Sequence, residues 1–249
     1  MHIEPIHCDI FNEVEDLLVY IMRHVSLIQE ESILVVTSKI VALSEGRVRH
    51  QDDEHTREQV IKEESQWMLR TKYTWLTIKD GHVMASAGVD ESNANGKLIL
   101  LPKDSFKSAE HIRSQLQKHY KIQNLGILIT DSRLMPLRAG VVGVALGYAG
   151  FKGVRDYRGT PDIFGRLLQY SQTDVADSLA TAAVLTMGEG AEQQPLCMIT
   201  GAPIVWCEAV DRTELYIDPR EDIYQPLFEQ IKKAPFVLNE FRKGASHVD

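Results

Sequence analysis

Two short apolar runs, SILVVT at 32–37 and LGILIT at 125–130, most constrain what this chain can fold into. Each is too short for a stable helix and apolar at nearly every position, so each reads as a strand buried within a sheet. The pattern around them changes repeatedly. Residues 13–28 place Val14, Leu17, Leu18, Ile21 and Val25 on one helical face, and 53–69 has helical composition with Val60, Ile61 and Trp67 directed inward. Residues 74–79 and 82–85 predict a hairpin, because Asp80-Gly81 between them suits a tight primed turn. A strand at 97–101 ends at Pro102, and Asp104 or Ser105 caps a helix in which Phe106, Ala109, Ile112, Leu116 and Tyr120 recur at three- and four-residue steps. Further strands are expected at 141–146, 196–200 and 204–207, and further helices at 174–187, rich in alanine, and at 221–233. Helices and strands therefore alternate irregularly, unlike a doubly wound sheet. The predicted fold class is α+β, with mixed sheets and packed helices. No Pro/Gly/Ser-rich linker or internal repeat divides the 249 residues, so a single domain over 1–249 is expected.

With 44% hydrophobic and 25% charged residues, the composition is that of a folded globular chain. A net charge of -8 argues against nucleic-acid or membrane-surface partners, which need a broad basic face. The start lacks a basic segment followed by an apolar one, and the longest low-polarity run, 141–151, is well short of the ~20 residues of a membrane span. A soluble cytoplasmic protein is expected. Cys8, Cys197 and Cys207 show no CxxC spacing and read as reduced thiols.

Residues 131–166 depart from this acidic background. They hold seven of the 16 glycines, and Arg133, Arg138, Arg155, Arg158, Arg166 and Lys152 against Asp131, Asp156 and Asp162 give them a local charge of six minus three, +3. Glycine lets backbone amides approach a ligand closely, and arginine grips carboxylate or phosphate in two places, so an anionic small molecule is the expected guest. The same arginines can instead pair with Asp156 and Asp162. Three acidic turns, at 88–96, 130–132 and 187–190, put Asp90, Asp131 and Glu189 beside hydroxyl, amide or glycine. Such hard oxygen donors suit Mg²⁺ or Mn²⁺, and equally they make Asx turns and caps. The sequence lacks the phosphate-loop pattern, HExxH and G-x-S-x-G, which removes the P-loop, zinc-hydrolase and triad-hydrolase classes. Ser38-Lys39 follows a strand and offers phosphates an amide and an ammonium.

With these residues in view, the chain resembles the coenzyme F-420 gamma-glutamyl ligase family, and within it the branch of folate-metabolism gamma-glutamate ligases. The carriers are VVTSKIVALSEGR (35–47), AGVDESNANGKLILLPKDS (87–105), LITDSRLMPLRAG (128–140), GFKGVRDYRGTPDIFGR (150–166) and VADSLATAAVLTMGEG (175–190). The resemblance implies a homodimer of intertwined chains. It also implies an enzyme that uses ATP or GTP and two Mg²⁺ or Mn²⁺ ions to join L-glutamate to an anionic, glutamylated acceptor. Asp90, Asp131, Ser132 and Glu189 would hold metal. Ser38, Lys39 and Asn93 would contact nucleotide, and the turn Met187, Gly188, Glu189, Gly190 would close over its phosphates. The deazaflavin enzymes commonly read SKAEGR and GRPWR, where this chain has Leu43, Met135 and Leu137 in place of a lysine, an arginine and a tryptophan. That departure puts a folate acceptor first and the F-420 acceptor second.

Transfer of the γ-phosphoryl group to the acceptor carboxylate would give an acyl phosphate, attacked next by the glutamate amine. Arg133, Arg138, Arg155 and Arg158 are expected to share the carboxylates of acceptor and glutamate. Two rivals use the same residues: a metal-dependent nucleotide phosphohydrolase with water as acceptor, and a non-catalytic nucleotide-binding module.

Overall fold

A computed structural model describes residues 1–13, 15–50 and 54–227. In chain order its elements are β1 (His2–Ile6), α1 (Leu17–His24), β2 (Ser32–Thr37), α2 (Ser38–Ser44), β3 (Val48–His50), α3 (Glu54–Glu64), β4 (Trp67–Arg70), β5 (Trp75–Lys79) and β6 (His82–Ala85). There follow β7 (Lys97–Ile99), α4 (Ser105–Tyr120), β8 (Leu125–Leu134), β9 (Val141–Ala149), β10 (Val154–Asp156), β11 (Gln172–Asp174), α5 (Val175–Met187) and β12 (Leu196–Thr200). The chain forms two compact units, Met1–Arg47 with Pro102–Leu215, and Val48–Leu101 with the described residues from Tyr216 on.

The first unit is built on a five-stranded sheet in the order β1-β12-β2-β8-β9. The two apolar runs lie side by side in it as the parallel pair β2 and β8, and the other pairings are antiparallel, so the sheet is mixed and the fold class is α+β. Alternation along the strands explains why both runs are apolar throughout. Leu34, Val36, Leu125, Ile127 and Ile129 pack with Leu17, Tyr20, Ile21, Ile112 and Leu116 of α1 and α4. Ile33, Val35 and Leu128 face the other way, onto Ala176, Leu179, Ala180 and Ala183 of α5. Small residues on α5 let it lie close against the strands. Asp104 caps α4 through the Lys107 amide at 2.9 Å, and Asp174 caps α5 through the Asp177 amide at 2.9 Å. Each cap satisfies one of the amides that a helix start leaves open.

The second unit holds the three-stranded sheet β4-β5-β6 and the pair β3-β7, with a core of Val60, Ile61, Val89, Leu98 and Leu100. Its hairpin turns at Asp80-Gly81 as expected. Both residues have positive φ, 49° and 78°, the geometry of a primed turn.

Several boundaries differ from the sequence expectation. The first helix covers only Leu17–His24, because the Asp16 carboxylate caps the amides of Leu18 and Val19 and Val25 is already extended; Val14 lies outside the described residues. Trp67 is buried as expected but in a strand rather than a helix, since the chain joins β5 as soon as the Gln66 amide reaches the Ile78 carbonyl. Residues 204–207 form no strand, and only Trp206 bridges to Phe151. The helix expected over 221–233 falls largely outside the described residues.

Candidate active site

Strand β8 continues past its apolar half because β9 pairs with it as far as Leu134 opposite Val141. Asp131 therefore sits within the strand rather than at its end. Alternation places Ser132 on the α5 side with Leu128, and Asp131 and Arg133 on the side of Ile127 and Ile129. Arg133 is buried and its Nε lies 4.0 Å from Asp131 Oδ2. Between Ile129 and Thr130 the register shifts, Ile129 facing Gly147 and Thr130 facing Ala145, so Leu146 is the extra residue of a bulge. A bulge bends the strand that carries it, here β9, and raises the local twist of the pair where Thr130 and Asp131 lie.

On the α5 side, Ser132 Oγ donates to Glu189 Oε1 at 2.5 Å. This contact brings together two residues expected at one site from separate blocks of sequence. Helix α5 ends at Met187 with Gly188 at φ 82°, and the chain then turns through Glu189 and Gly190. The Glu192 carboxylate, which the sequence reading left out, fills that turn: it accepts from the Gly190 amide at 2.7 Å, and a side chain at Gly188 would begin 2.4 Å from its Cδ.

Asp90 and Asn93 belong to the second unit. Asp90 pairs with Ile99 through both its amide and its carbonyl, at 3.0 and 2.9 Å, and its carboxylate accepts from the Ser92 amide at 2.7 Å and hydroxyl at 2.8 Å. Just before it, Ser86, Ala87 and Gly88 all have left-handed φ, 51°, 53° and 71°. That conformation costs the non-glycine residues about 1–2 kcal/mol each. It is held by buried Thr77, whose hydroxyl accepts from the Ala87 amide at 2.7 Å, and by the Thr74–Ser86 hydroxyl pair at 2.6 Å. Asn93 is exposed with φ 52°.

Ser38 is buried at the start of α2, immediately after β2, and Lys39 beside it is half-buried. Arg138 is exposed in the β8–β9 turn, together with Met135 and Leu137. Arg155 donates to the Pro203 carbonyl and, at 3.4 Å, to the Tyr157 hydroxyl. Arg158 is tied to Asp156 by its Nε at 2.9 Å and its Nη2 at 2.6 Å, and this guanidinium holds the Asp156 carboxyl below the usual range.

Four of the seven glycines in the 131–166 window owe their identity to packing rather than to a ligand. A Cβ at Gly143 would lie 2.4 Å from the Ala180 carbonyl of α5, and one at Gly147 2.4 Å from Ser105 of α4. At Gly150 it would meet the Leu125 carbonyl at 2.2 Å, and at Gly153 the Tyr148 hydroxyl at 2.1 Å. Gly140, Gly159 and Gly165 have open space and positive φ, as turns require. Two depressions of about 320 and 390 Å³ border α1 and α4, and none of the site residues lines them.

The donor chemistry of Ser132 and Glu189 suits a hard divalent cation, a hydroxyl and a carboxylate meeting at one point. Among the described residues no three His, Cys, Asp or Glu side chains form a group that could hold a metal ion. Comparison with known proteins supplies the frame for these residues. Residues 5–201 match the family model described as F420-0:Gamma-glutamyl ligase, and every candidate residue lies inside that span. The chain belongs to this family. It is 37% identical over 169 residues to the coenzyme F420:L-glutamate ligase of Methanococcus maripaludis strain C7, covering 67% of each chain. The enzyme of the same name from strain C6 is 33% identical over 80% of this chain and 86% of its own. That of Archaeoglobus fulgidus is 30% identical over 86% and 92%. All three relatives are named for F420, the acceptor placed second from Leu43, Met135 and Leu137. Among the described residues of this family member, no helix is long and apolar enough to cross a membrane.

Proposed function

We propose that this chain is a gamma-glutamyl ligase that joins L-glutamate to a coenzyme F420-type acceptor, at the expense of ATP or GTP and with Mg²⁺ or Mn²⁺. The observation that carries the reading is the Ser132–Glu189 contact, inside a family match that takes in both residues. An oxygen of the acceptor carboxylate attacks the γ-phosphorus and the nucleoside diphosphate leaves. The glutamate amine then attacks the acyl carbon, phosphate departs, and the amide remains once the nitrogen has lost its proton. Divalent ions would offset phosphate charge. Ser132 and Glu189 are assigned as donors for them on the α5 side of the first unit, with Asp131, on the other side of β8, a further acid of that unit and Asp90 one of the second.

Arg133, Arg138, Arg155 and Arg158 are assigned to the carboxylates of the two substrates, Ser38, Lys39 and Asn93 to the nucleotide, and the turn at 187–190 to its phosphates. Binding phosphate at that turn requires the Glu192 carboxylate to leave the Gly190 amide. A homodimer is part of the same proposal, supported by Ile163, Phe164, Leu167 and Tyr170, which stand exposed on the ribbon joining β10 to β11. Light scattering of the parent and of Phe164→Asp tests it, a dimer that dissociates in the variant being the expected result.

A folate-type acceptor is the second reading, favoured by the exposed Met135 and Leu137 where deazaflavin ligases commonly carry arginine and tryptophan. One mass-spectrometric assay separates the readings. Purified protein is incubated with L-glutamate, Mg²⁺ or Mn²⁺, ATP or GTP, and either the deazaflavin acceptor or tetrahydrofolate monoglutamate. A glutamyl mass gain on the deazaflavin is expected. A gain on folate alone establishes the second reading. Nucleotide hydrolysis without any gain identifies a phosphohydrolase, and binding without turnover a nucleotide-binding module.

A further inference from the structure

Helix α5 does more than cover the sheet. Its side chains reach strand β9 at two points, both opposite the segment of β8 that carries Asp131 and Ser132. Asp177 Oδ1 accepts from the Ala145 amide at 2.8 Å, and Ala145 is the residue facing Thr130 at the edge of the bulge. One turn further along, Thr181 Oγ1 donates to the Gly143 carbonyl at 2.7 Å, and Gly143 faces Ser132. Val144, between the two gripped residues, faces Asp131. At its far end the same helix runs into Glu189, the acceptor of the Ser132 hydroxyl.

The three contacts follow one another along the helix. Each fixes a different point of the bulged β8–β9 pair, and the absence of a Cβ at Gly143 is what allows the helix this close, since the Ala180 carbonyl occupies that space. Side chains of Ser, Thr and Asp within a helix ordinarily turn to solvent or to their own backbone. Here two of them reach across to another element's main chain, and the alanines at Ala176, Ala180 and Ala183 leave the approach open. A hydrogen bond tolerates little error in distance, so the length of a 2.5 Å contact at the end of α5 depends on how the helix is registered against the strands.

We infer that Asp177 and Thr181 are positioning residues for the Ser132–Glu189 pair, acting as two pins that register α5 on the bulged strands. The inference rests on the proposed ligase reading for its functional meaning. Its structural content stands apart from that reading and is tested apart from it.

The test is a double-mutant cycle. The coupling between Ser132→Ala and Glu189→Ala is measured by urea unfolding in the full-length parent, and again in T181V, T181S and D177N backgrounds. Thr181→Val keeps the shape and removes the hydroxyl, Thr181→Ser restores it, and Asp177→Asn retains an acceptor oxygen for Ala145. Coupling should fall by more than half in T181V, return in T181S and persist in D177N. Equal coupling in the parent and T181V overturns the inference, as does a loss in T181V that T181S does not recover. Alongside, kcat in T181V should fall more than tenfold with the KM for L-glutamate unchanged, recovering in T181S. A fall in activity that simply tracks the loss of folded protein at the assay temperature overturns the positioning role. If the parent transfers no glutamate, the ligase reading fails while the coupling still decides the inference.

Discussion

Ser132 Oγ and Glu189 Oε1 meet at 2.5 Å, although 57 residues separate them in sequence. The contact links the C-terminal part of β8 to the turn after α5, and a hydrogen bond to a charged carboxylate is among the stronger kinds. Ser132→Ala should lower kcat/KM on the order of tenfold or more, as expected for losing such a bond at a reacting centre. Both residues reach solvent, so the melting temperature should fall only modestly, by about 2–4 °C for roughly 1 kcal/mol lost. Ser132→Thr keeps the hydroxyl and should keep the activity. Steady-state kinetics of the two variants, with thermal melts beside them, check this, and an alanine variant as active as the parent removes Ser132 from the site.

Gly143 and Gly159 make a contrasting pair. Gly143→Ala puts a methyl 2.4 Å from the Ala180 carbonyl and 2.7 Å from a Val184 methyl, so α5 must retreat. Forced overpacking of this kind costs about 1–3 kcal/mol. Gly159→Ala meets nothing within 4 Å and carries only the strain of φ +77°, about 1–2 kcal/mol. Melting temperatures should rank parent, Gly159→Ala, Gly143→Ala from highest to lowest, and the reverse order for the two variants would mean that α5 does not seat on Gly143.

These glycines also mark where the sequence stops being legible. Glycine enrichment is visible in the sequence, but its cause at Gly143 and Gly147 lies on helices α5 and α4, whose approach no local pattern records. Elements whose signal is local were readable: SILVVT as a buried strand, and Asp80-Gly81 as a primed turn, because two adjacent residues set that geometry. Asp131 was expected at a strand end because the apolar run ends at Thr130. Pairing with β9, not hydrophobicity, carries the strand on to Leu134. Trp67 kept its burial and changed its element for the same reason, since a partner strand at β5 claimed it. As for the site, its residue types were evident in the acidic turns, whereas the meeting of Ser132 with Glu189 depends on the length of α5.

Asp174 should leave a pH signature on stability. Although the residue reaches solvent, protein atoms crowd its carboxyl, and the charges of Asp177 and Glu214 add to that effect, pushing its pKa from 3.8 up to about 6. A raised folded-state value means that the proton is held more tightly in the fold than in the unfolded chain. Its favourable contribution is therefore complete below about pH 4 and lost as the pH rises through 6. Asp174→Asn keeps an oxygen for the Asp177 amide and removes the titration. The melting temperature of the variant relative to the parent should climb between pH 4 and 7 and level off above. A difference that stays flat across that range would show that Asp174 ionises normally.

Arg158 supplies the sharpest test of how the arginines are used. Its guanidinium lies flat against Asp156, both groups about half exposed, and exposed pairs of this kind contribute little to stability. On the proposed reading a substrate carboxylate would take the place of Asp156 on Arg158, and exchanging one for the other costs the fold little. Arg158→Ala should raise the KM for L-glutamate or acceptor, or lower kcat, by more than tenfold, with almost no change in melting temperature. Asp156→Asn should leave kcat/KM unchanged or raise it, because it removes the competing anion while sparing the arginine. If instead Asp156→Asn reduces activity as much as Arg158→Ala does, the pair acts as a structural unit, and substrate binding passes to Arg133, Arg138 and Arg155. Unchanged kinetics in Arg158→Ala would end its assignment outright, since no other part of the proposal gives this exposed side chain a task.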